Sequence, residues 1–343
     1  MQRQFFVRAL TALALGVAAT GAVSPLDAQG RLLVVDSRQN RVLQLSAQNG
    51  AVLNPTFITD AGNPQTYDFV TPRAAIQVGN QVWVSDQGAS AIFRFDLNGA
   101  FLGRIGGNVA GGGLSNVRGM RVIGNSVFVV NAGTANDAPG VGLVRLGFDG
   151  SFQGFINTVV QNGTVGASPW DVVSYNGRLL VSDGTSRGLQ LYETSGAYFG
   201  ALTGQLNNIP QQLFVRSNGN VLMSANGSQP TGSFGLYEIA PDGSTVRSWT
   251  GVPGLGVRGT YELGNGRFLI SEAGGASATR GLGTIDPNGP TNASNFTLIE
   301  GNFNGGWISA FDAPMQPVPE PATVALVAVG LAGLAIVRRR RGA

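Results

Sequence analysis

One hydrophobic pattern recurs six times between residues 31 and 289. Each copy opens with an apolar run, such as Leu32-Leu33-Val34-Val35 or Val82-Trp83-Val84, and ends that run in Asp or a small polar residue. A loop follows, then a second strand-like segment, then a glycine turn. The copies run from Arg31 to Gly50, Gln81 to Gly99, Ser126 to Gly150, Arg178 to Gly196, Asn220 to Gly243 and Arg267 to Gly289. Their turn glycines lie 49, 51, 46, 47 and 46 residues apart. Alternation such as Ile92-Phe93-Arg94-Phe95-Asp96 has the period of two that strands require. The Asn-Gly, Asp-Gly and Ser-Gly endings are expected to supply the positive φ of tight hairpins.

A further strand precedes five of the copies: Pro72-RAAIQV, Val117-RGMRVI, Pro169-WDVVSY, Pro210-QQLFVR and Val257-RGTYEL. The first copy has none, and a sixth such segment, Trp307-ISAFDA, follows the last copy. Joining that segment to the first copy completes six units and closes the ring, which leaves no long exposed edge. Stretches such as Phe101-LGRIGG and Phe152-QGFI supply a fourth strand per unit. The expected fold is therefore all-β, a six-bladed β-propeller over residues 29–316, closed by pairing the C-terminal strand with the first blade. A solenoid or sandwich is the alternative, but a repeat near 48 residues is too long for a β-helix coil. A seventh blade would have to lie between Gly50 and Thr71, which is too short.

The two ends differ from this middle. Arg3 and Arg8 precede the apolar run Ala9 to Val23, and small residues follow, so residues 1–28 read as a signal peptide cleaved after Ala28 or after Ser24. An uncleaved N-terminal anchor is the alternative. At the other end, residues 317–343 hold Pro319-Glu320-Pro321, the apolar run 322–337 and Arg338, Arg339, Arg340 and Arg341. As a helix those apolar residues reach about 24 Å, slightly short of a bilayer core of about 30 Å. The arginines would stay cytoplasmic, leaving residues 29–317 outside.

Composition narrows the chemistry. The chain has 343 residues, 52 of them Gly and 16 Pro, which suits many short strands joined by turns. No cysteine or histidine is present, which excludes disulfides, thiolate metal sites and Ser–His–Asp catalysis. Lysine is absent too, so all 22 basic residues are arginine. The sequence pI near 9.7 comes from the ends. Without residues 1–28 and 317–343 the middle has 16 arginines against 17 carboxylates, a net charge near −1, and nucleic-acid binding gains no support.

The C-terminal order of Pro-Glu-Pro, short apolar helix and basic end resembles the PEP-CTERM sorting signal. The resemblance covers about 25 residues. It implies that Pro319, Glu320, Pro321 and the arginine cluster are read by an exosortase-type membrane enzyme that cleaves near the motif. It also implies a Gram-negative bacterium that makes exopolysaccharide, and transient membrane anchoring before processing. An ordinary tail anchor is the alternative. The middle, particularly Val35-Asp36-Ser37-Arg38-Gln39-Asn40-Arg41-Val42, resembles the NHL-type propeller repeat, with degenerate motifs over residues 30–314.

Two columns of the repeat are candidate sites. Arg73, Arg118, Trp170, Gln211, Arg258 and Ile308 follow the opening positions of the first strands and should ring one mouth of the channel. Arginine forks suit carboxylate or sulfate, and a Trp face suits a sugar ring, so the first five are candidate ligand residues for an acidic saccharide. Pairing of these arginines with Asp86 or Asp183 of an adjoining blade is the alternative. The second column is Asp36, Asp86, Asn131, Asp183 and Glu272, with Ala225 in the fifth copy. Such oxygens could hold calcium, as in lactonase-type propellers, and calcium is the sole cofactor to consider. Recurrence in nearly every blade favours the alternative, turn capping. The loops Gly133 to Gly142 and Gly227 to Ser233 are long and polar, candidates for partner recognition.

The sequence thus points to an exported, surface-sorted propeller acting as a non-enzymatic binding or matrix protein of the envelope or extracellular polysaccharide. A calcium-dependent lactonase-like hydrolase and a protein-binding propeller are the competing functions.

Overall fold

The structure is a computed structural model and describes residues 30–61, 67–106, 113–160, 165–206, 208–227, 234–250, 256–273 and 281–312. The leader expected over residues 1–28, the apolar helix expected over 322–337 and the sorting residues Pro319, Glu320, Pro321 and Arg338 to Arg341 lie outside them. So does most of the loop from Gly227 to Ser233.

The described residues form six four-stranded antiparallel sheets. Blade 1 holds β1 (Arg31–Asp36), β2 (Arg41–Ser46) and β3 (Val52–Thr59), and its innermost strand is the chain's last, β24 (Gly305–Phe311). Blade 2 holds β4 (Pro72–Val78), β5 (Gln81–Asp86), β6 (Ala91–Asp96) and β7 (Phe101–Gly106). Blade 3 holds β8 (Val117–Ile123), β9 (Ser126–Asn131), β10 (Gly142–Leu146) and β11 (Phe152–Asn157). Blade 4 holds β12 (Pro169–Tyr175), β13 (Arg178–Asp183), β14 (Gly188–Tyr192) and β15 (Tyr198–Ala201). Blade 5 holds β16 (Ile209–Val215), β17 (Val221–Asn226), β18 (Gly235–Ile239) and β19 (Thr245–Trp249). Blade 6 holds β20 (Val257–Glu262), β21 (Phe268–Glu272), β22 (Gly281–Ile285) and β23 (Thr297–Gly301). The expected closure is present: β24 pairs with β1, with Arg31 opposite Phe311 and Val34 opposite Ile308.

The unbroken apolar runs have a simple cause. Each blade packs on a neighbour through both faces, so both alternating sets of side chains on an inner strand are buried. Leu33 and Val35 of β1 pack toward blade 2 with Ala75, Val82, Val84 and Phe95, while Leu32 and Val34 pack toward blade 6 with Leu269 and Leu282. Six such clusters fill the six blade–blade interfaces. Each fully buried Leu, Val or Phe contributes about 1.5–3 kcal/mol of transfer free energy. The outer strands have solvent on one side, and β7 accordingly alternates between half-buried and exposed residues.

The turn glycines Gly50, Gly99, Gly150, Gly196 and Gly243 do have positive φ, between 78° and 101°. The sixth turn departs from the expectation. Gly289 is not among the positive-φ residues, because Pro290 follows and the Asn295 side chain organises the connection, accepting from the Asp286 N–H and donating to the Asp286 and Pro290 carbonyls.

Candidate functional site

Every innermost strand carries a β-bulge near its start. The register slips between Pro72 and Ala74, Val117 and Met120, Pro169 and Asp171, Pro210 and Leu213, Val257 and Gly259, and, opposite Asp36 and Val34, between Gly305 and Ile308. A bulge re-aims the extra residue away from the sheet. The residues so placed are Arg73, Arg118, Trp170, Gln211, Arg258 and, in blade 1, Gly306. Five of these agree with the expected ring. Ile308 does not belong to it: it pairs with Val34 and is fully buried among Leu32, Leu43 and Leu45. The strand opens two residues before Trp307, on glycines that carry no hydrophobic signal.

A serine column, not anticipated as functional, holds this collar together. Ser85 Oγ donates to the Arg118 carbonyl (2.6 Å), Ser182 to Gln211 (2.7 Å), Ser224 to Arg258 (2.6 Å) and Ser271 to Gly306 (2.6 Å). Each hydroxyl sits in the second strand of one blade and binds the bulge backbone of the next. Val35 and Val130 occupy the same position in blades 1 and 3.

Beneath the collar the channel is filled. Trp170 of blade 4 stacks against Trp307 of blade 1, on the opposite side of the ring, with centroids 6.4 Å apart and planes 12° apart. Gln212 reaches across to two other blades: its Oε1 accepts the N–H of Thr260 (3.0 Å) and Ile308 (2.9 Å), and its Nε2 donates to the Ile308 carbonyl (2.5 Å). Asp171 Oδ2 accepts the Leu213 N–H (3.0 Å) and an Arg121 guanidinium N–H (3.4 Å). Arg121 also donates to the Leu213 carbonyl (3.2 Å). Complete burial pushes the Asp171 carboxyl up to about 6, with Arg121 opposing the shift.

The mouth above this floor is cationic. Arg73 and Arg118 are only 9% and 7% exposed. Among the described residues neither they nor Arg258 makes an ion pair. The alternative, pairing with Asp86 or Asp183, is not formed as an ion pair, and those carboxylates act on Arg73 and Arg118 only through longer-range attraction. Arg73 Nε donates to Gln87 Oε1 (2.5 Å), and Gln87 is held by Asn116 (2.5 Å). Arg118 Nη1 donates to Ser168 Oγ (3.1 Å) and the Pro169 carbonyl (2.7 Å), and its Cζ lies 3.6 Å above the Trp170 ring. Arg258 Nη1 donates to Asn304 Oδ1 (2.9 Å). Burial, then the positive charges of Arg258 and Arg118, push Arg73 down to about 9. Burial lowers Arg118 and Arg258 to about 10 each. Gln211 is buried with its amide nitrogen near the Pro210 carbonyl (3.5 Å).

The acidic column lies at the same end. Asp86 accepts the N–H groups of Val70 (2.8 Å), Thr71 (2.9 Å) and Ala89 (2.9 Å). Asp183 accepts those of Gly166, Ser168, Thr185 and Ser186. Asp36 accepts from Arg38 and Asn304, and Arg41 lies at 3.2 Å. Asn131 accepts from Ser115 and donates to the Gly133 and Gly140 carbonyls, which ties down the loop from Gly133 to Gly142. Glu272 accepts from Gly281. Each of these side chains clips a loop or incoming connection to its blade, and among the described residues no three acidic groups converge as a metal site would need.

Residues 317–341 match the model of the PEP-CTERM protein-sorting motif. This is an exported propeller protein with a PEP-CTERM sorting motif. The motif implies export, exosortase-mediated processing and sorting to the surface. No curated protein matches the chain. Solved structures share its fold at low identity. A protein of unknown function from Bacteroides caccae is 14% identical with a TM-score of 0.57, over 83% of this chain and all of the other. A chain of a nidogen/laminin complex is 13% identical with a TM-score of 0.59, over 82% and 98%. A streptogramin B lyase is 12% identical with a TM-score of 0.51, over 82% and 90%. Identities this low carry the propeller fold and nothing of its chemistry.

Proposed function

We propose that this PEP-CTERM propeller is a non-enzymatic binding or matrix protein whose arginine mouth takes an acidic saccharide of the extracellular layer. The observation that carries the reading is the placement of three arginines at one mouth, Arg73 and Arg118 buried and Arg258 half-buried, without an ion-pair partner among the described residues. Buried charge is costly unless something neutralises it, and an incoming carboxylate or sulfate does so. The Trp170 indole lies beside these cations, and an aromatic group next to arginine forks suits a charged sugar ring. Binding is favoured over hydrolysis because Trp307, Asp171, Gln212 and Arg121 fill the space beneath the rim. The leader over residues 1–28 and the domain limits 29–316 and 317–343 belong to the same proposal.

The test is a glycan array probed with the full-length protein in detergent, wild type beside the triple variant Arg73, Arg118 and Arg258→Gln, with metal analysis in parallel. Acidic glycans held by the wild type and lost by the variant support the reading. Stoichiometric calcium with no glycan retained would overturn it in favour of a hydrolase, and retention of a protein partner by the variant would move recognition to the loops.

A further inference from the structure

The three arginines are not equivalent, and their differences locate an anion. We propose that Arg73 and Arg258 form the seat for a single oxyanion above Gly306, and that Arg118 braces Trp170 and does not hold the ligand. The inference rests on the anionic-ligand reading above and goes further by assigning each cation a role.

Around the ring, Gly306 of blade 1 lies between Arg258 of blade 6 and Arg73 of blade 2. Glycine is required there by close packing: a Cβ would collide with the Arg73 carbonyl and lie 2.9 Å from Val35 Cβ. Blade 1 therefore contributes no collar side chain between Arg258 and Arg73, its backbone packing directly on that of Arg73. Hydrogen bonds at the edges of that interval fix the two cations. Gln87 holds Arg73 through Nε, and Asn304 holds Arg258 through Nη1. What remains is donor capacity: Arg73 Nη1, Arg258 Nε and Arg118 Nε are buried and have no partner among the described residues, so the three differ in what else holds them. The donors of Arg258 and Arg73 sit on like charges of blades 6 and 2, with only blade 1 between them, and an anion over blade 1 would meet both.

Arg118 is differently placed. Its Nη1 has two acceptors, Ser168 Oγ and the Pro169 carbonyl, and its Cζ lies over the Trp170 ring. Both interactions lock the indole in position. The electrostatics agree with this division: Arg258 acts on Arg73 more strongly than Arg118 does.

The chemistry is that of one carboxylate or one sulfate group, bound by two arginine forks, with the rest of the ligand lying toward Trp170. Two sources fit, a uronic acid and a sulfated sugar. Isothermal titration of the full-length protein with D-glucuronate, glucose 6-sulfate and glucose separates them, since only the correct anion should bind and glucose should not. Arg73→Gln and Arg258→Gln should each weaken the bound anion about tenfold or more. Arg118→Gln should lower the thermal midpoint yet leave that affinity within roughly threefold, measured well below the midpoint. Gln87→Glu gives Arg73 an internal counter-ion, so it should raise the thermal midpoint while weakening the anion about tenfold. That variant decides the matter should Arg73→Gln not fold.

Failure of the wild type to bind either anion would sink the saccharide reading and this assignment with it. Binding that Arg118→Gln abolishes, or that Gln87→Glu leaves intact, would overturn the assignment alone and leave the reading standing.

Discussion

Gln212 offers the sharpest test of how the ring is held. Its side chain is 1% exposed and makes three hydrogen bonds to the backbones of two other blades, at Thr260 and Ile308. Gln212→Leu keeps nearly the same volume and removes both polar ends. Two N–H groups and one carbonyl would then lie in a packed channel without their partner. An unmet buried group costs about 1–3 kcal/mol, so the loss should be on the order of 3–6 kcal/mol after partial relaxation. A propeller of roughly 280 residues unfolds with an entropy near 0.6 kcal/mol/K at about 2.1 cal/mol/K per residue. The thermal midpoint should therefore fall by roughly 5–10 °C. Gln212→Glu should not rescue it, because a carboxylate would satisfy the two N–H groups but face the Ile308 carbonyl, an acceptor opposite an acceptor. Circular dichroism melts of both variants, read on the full-length protein, provide the assay. A Gln212→Leu midpoint within about 1 °C of wild type would refute the reasoning, because it would mean that water or neighbours already serve these groups.

Three further outcomes follow from the same structure. Asp171, pushed up to about 6 by burial, binds its proton more tightly folded than unfolded, so its contribution to stability is full below about pH 4 and declines as pH rises toward 6; Asp171→Asn should erase a slope worth about 3 kcal/mol, and parallel wild-type and variant curves from pH 4 to 7 in urea melts would contradict this. Ser224→Ala removes the donor to the Arg258 carbonyl and should cost about 1–3 kcal/mol by urea titration, whereas a neutral result would show that the serine column does not hold the collar. Asp86, Asp183 and the equivalent residues are occupied by N–H donors, so neither chelator nor added calcium should move the thermal midpoint; a calcium-dependent rise would reinstate the metal reading.

The repeat was plain because buried strands and glycine turns each leave a local mark. Leu32-Leu33-Val34-Val35 is apolar without interruption because blades cover both its faces, and Gly99 or Gly243 follows an Asp-bearing turn at a fixed interval. The rim was legible for a related reason, since Pro72, Pro169 and Pro210 mark the strand starts and the bulge residue is next in line. The same logic misplaced Ile308, because blade 1 opens on Gly305-Gly306, which offers no landmark.

What the pattern could not reveal is contact across the axis. Arg121, Asp171 and Gln212 are each separated by more than forty residues from a partner they touch, and no periodicity relates Gln212 to Ile308. Those contacts depend on how six strands converge, which only the closed ring decides. The serine column stands between the two cases. Its residues recur before the strand-end position in Val84-Ser85-Asp86, Val181-Ser182-Asp183, Met223-Ser224-Ala225 and Ile270-Ser271-Glu272. Repetition there has a physical cause, a hydroxyl that latches the next blade at four of the six interfaces. Its absence at Val35 and Val130 leaves the Arg73 and Trp170 backbones without that latch, one on the proposed anion seat and the other on the stacking shelf. Arg258, the other cation of the proposed seat, keeps its latch through Ser224, so the two arginines of the seat are held on differently fixed backbone.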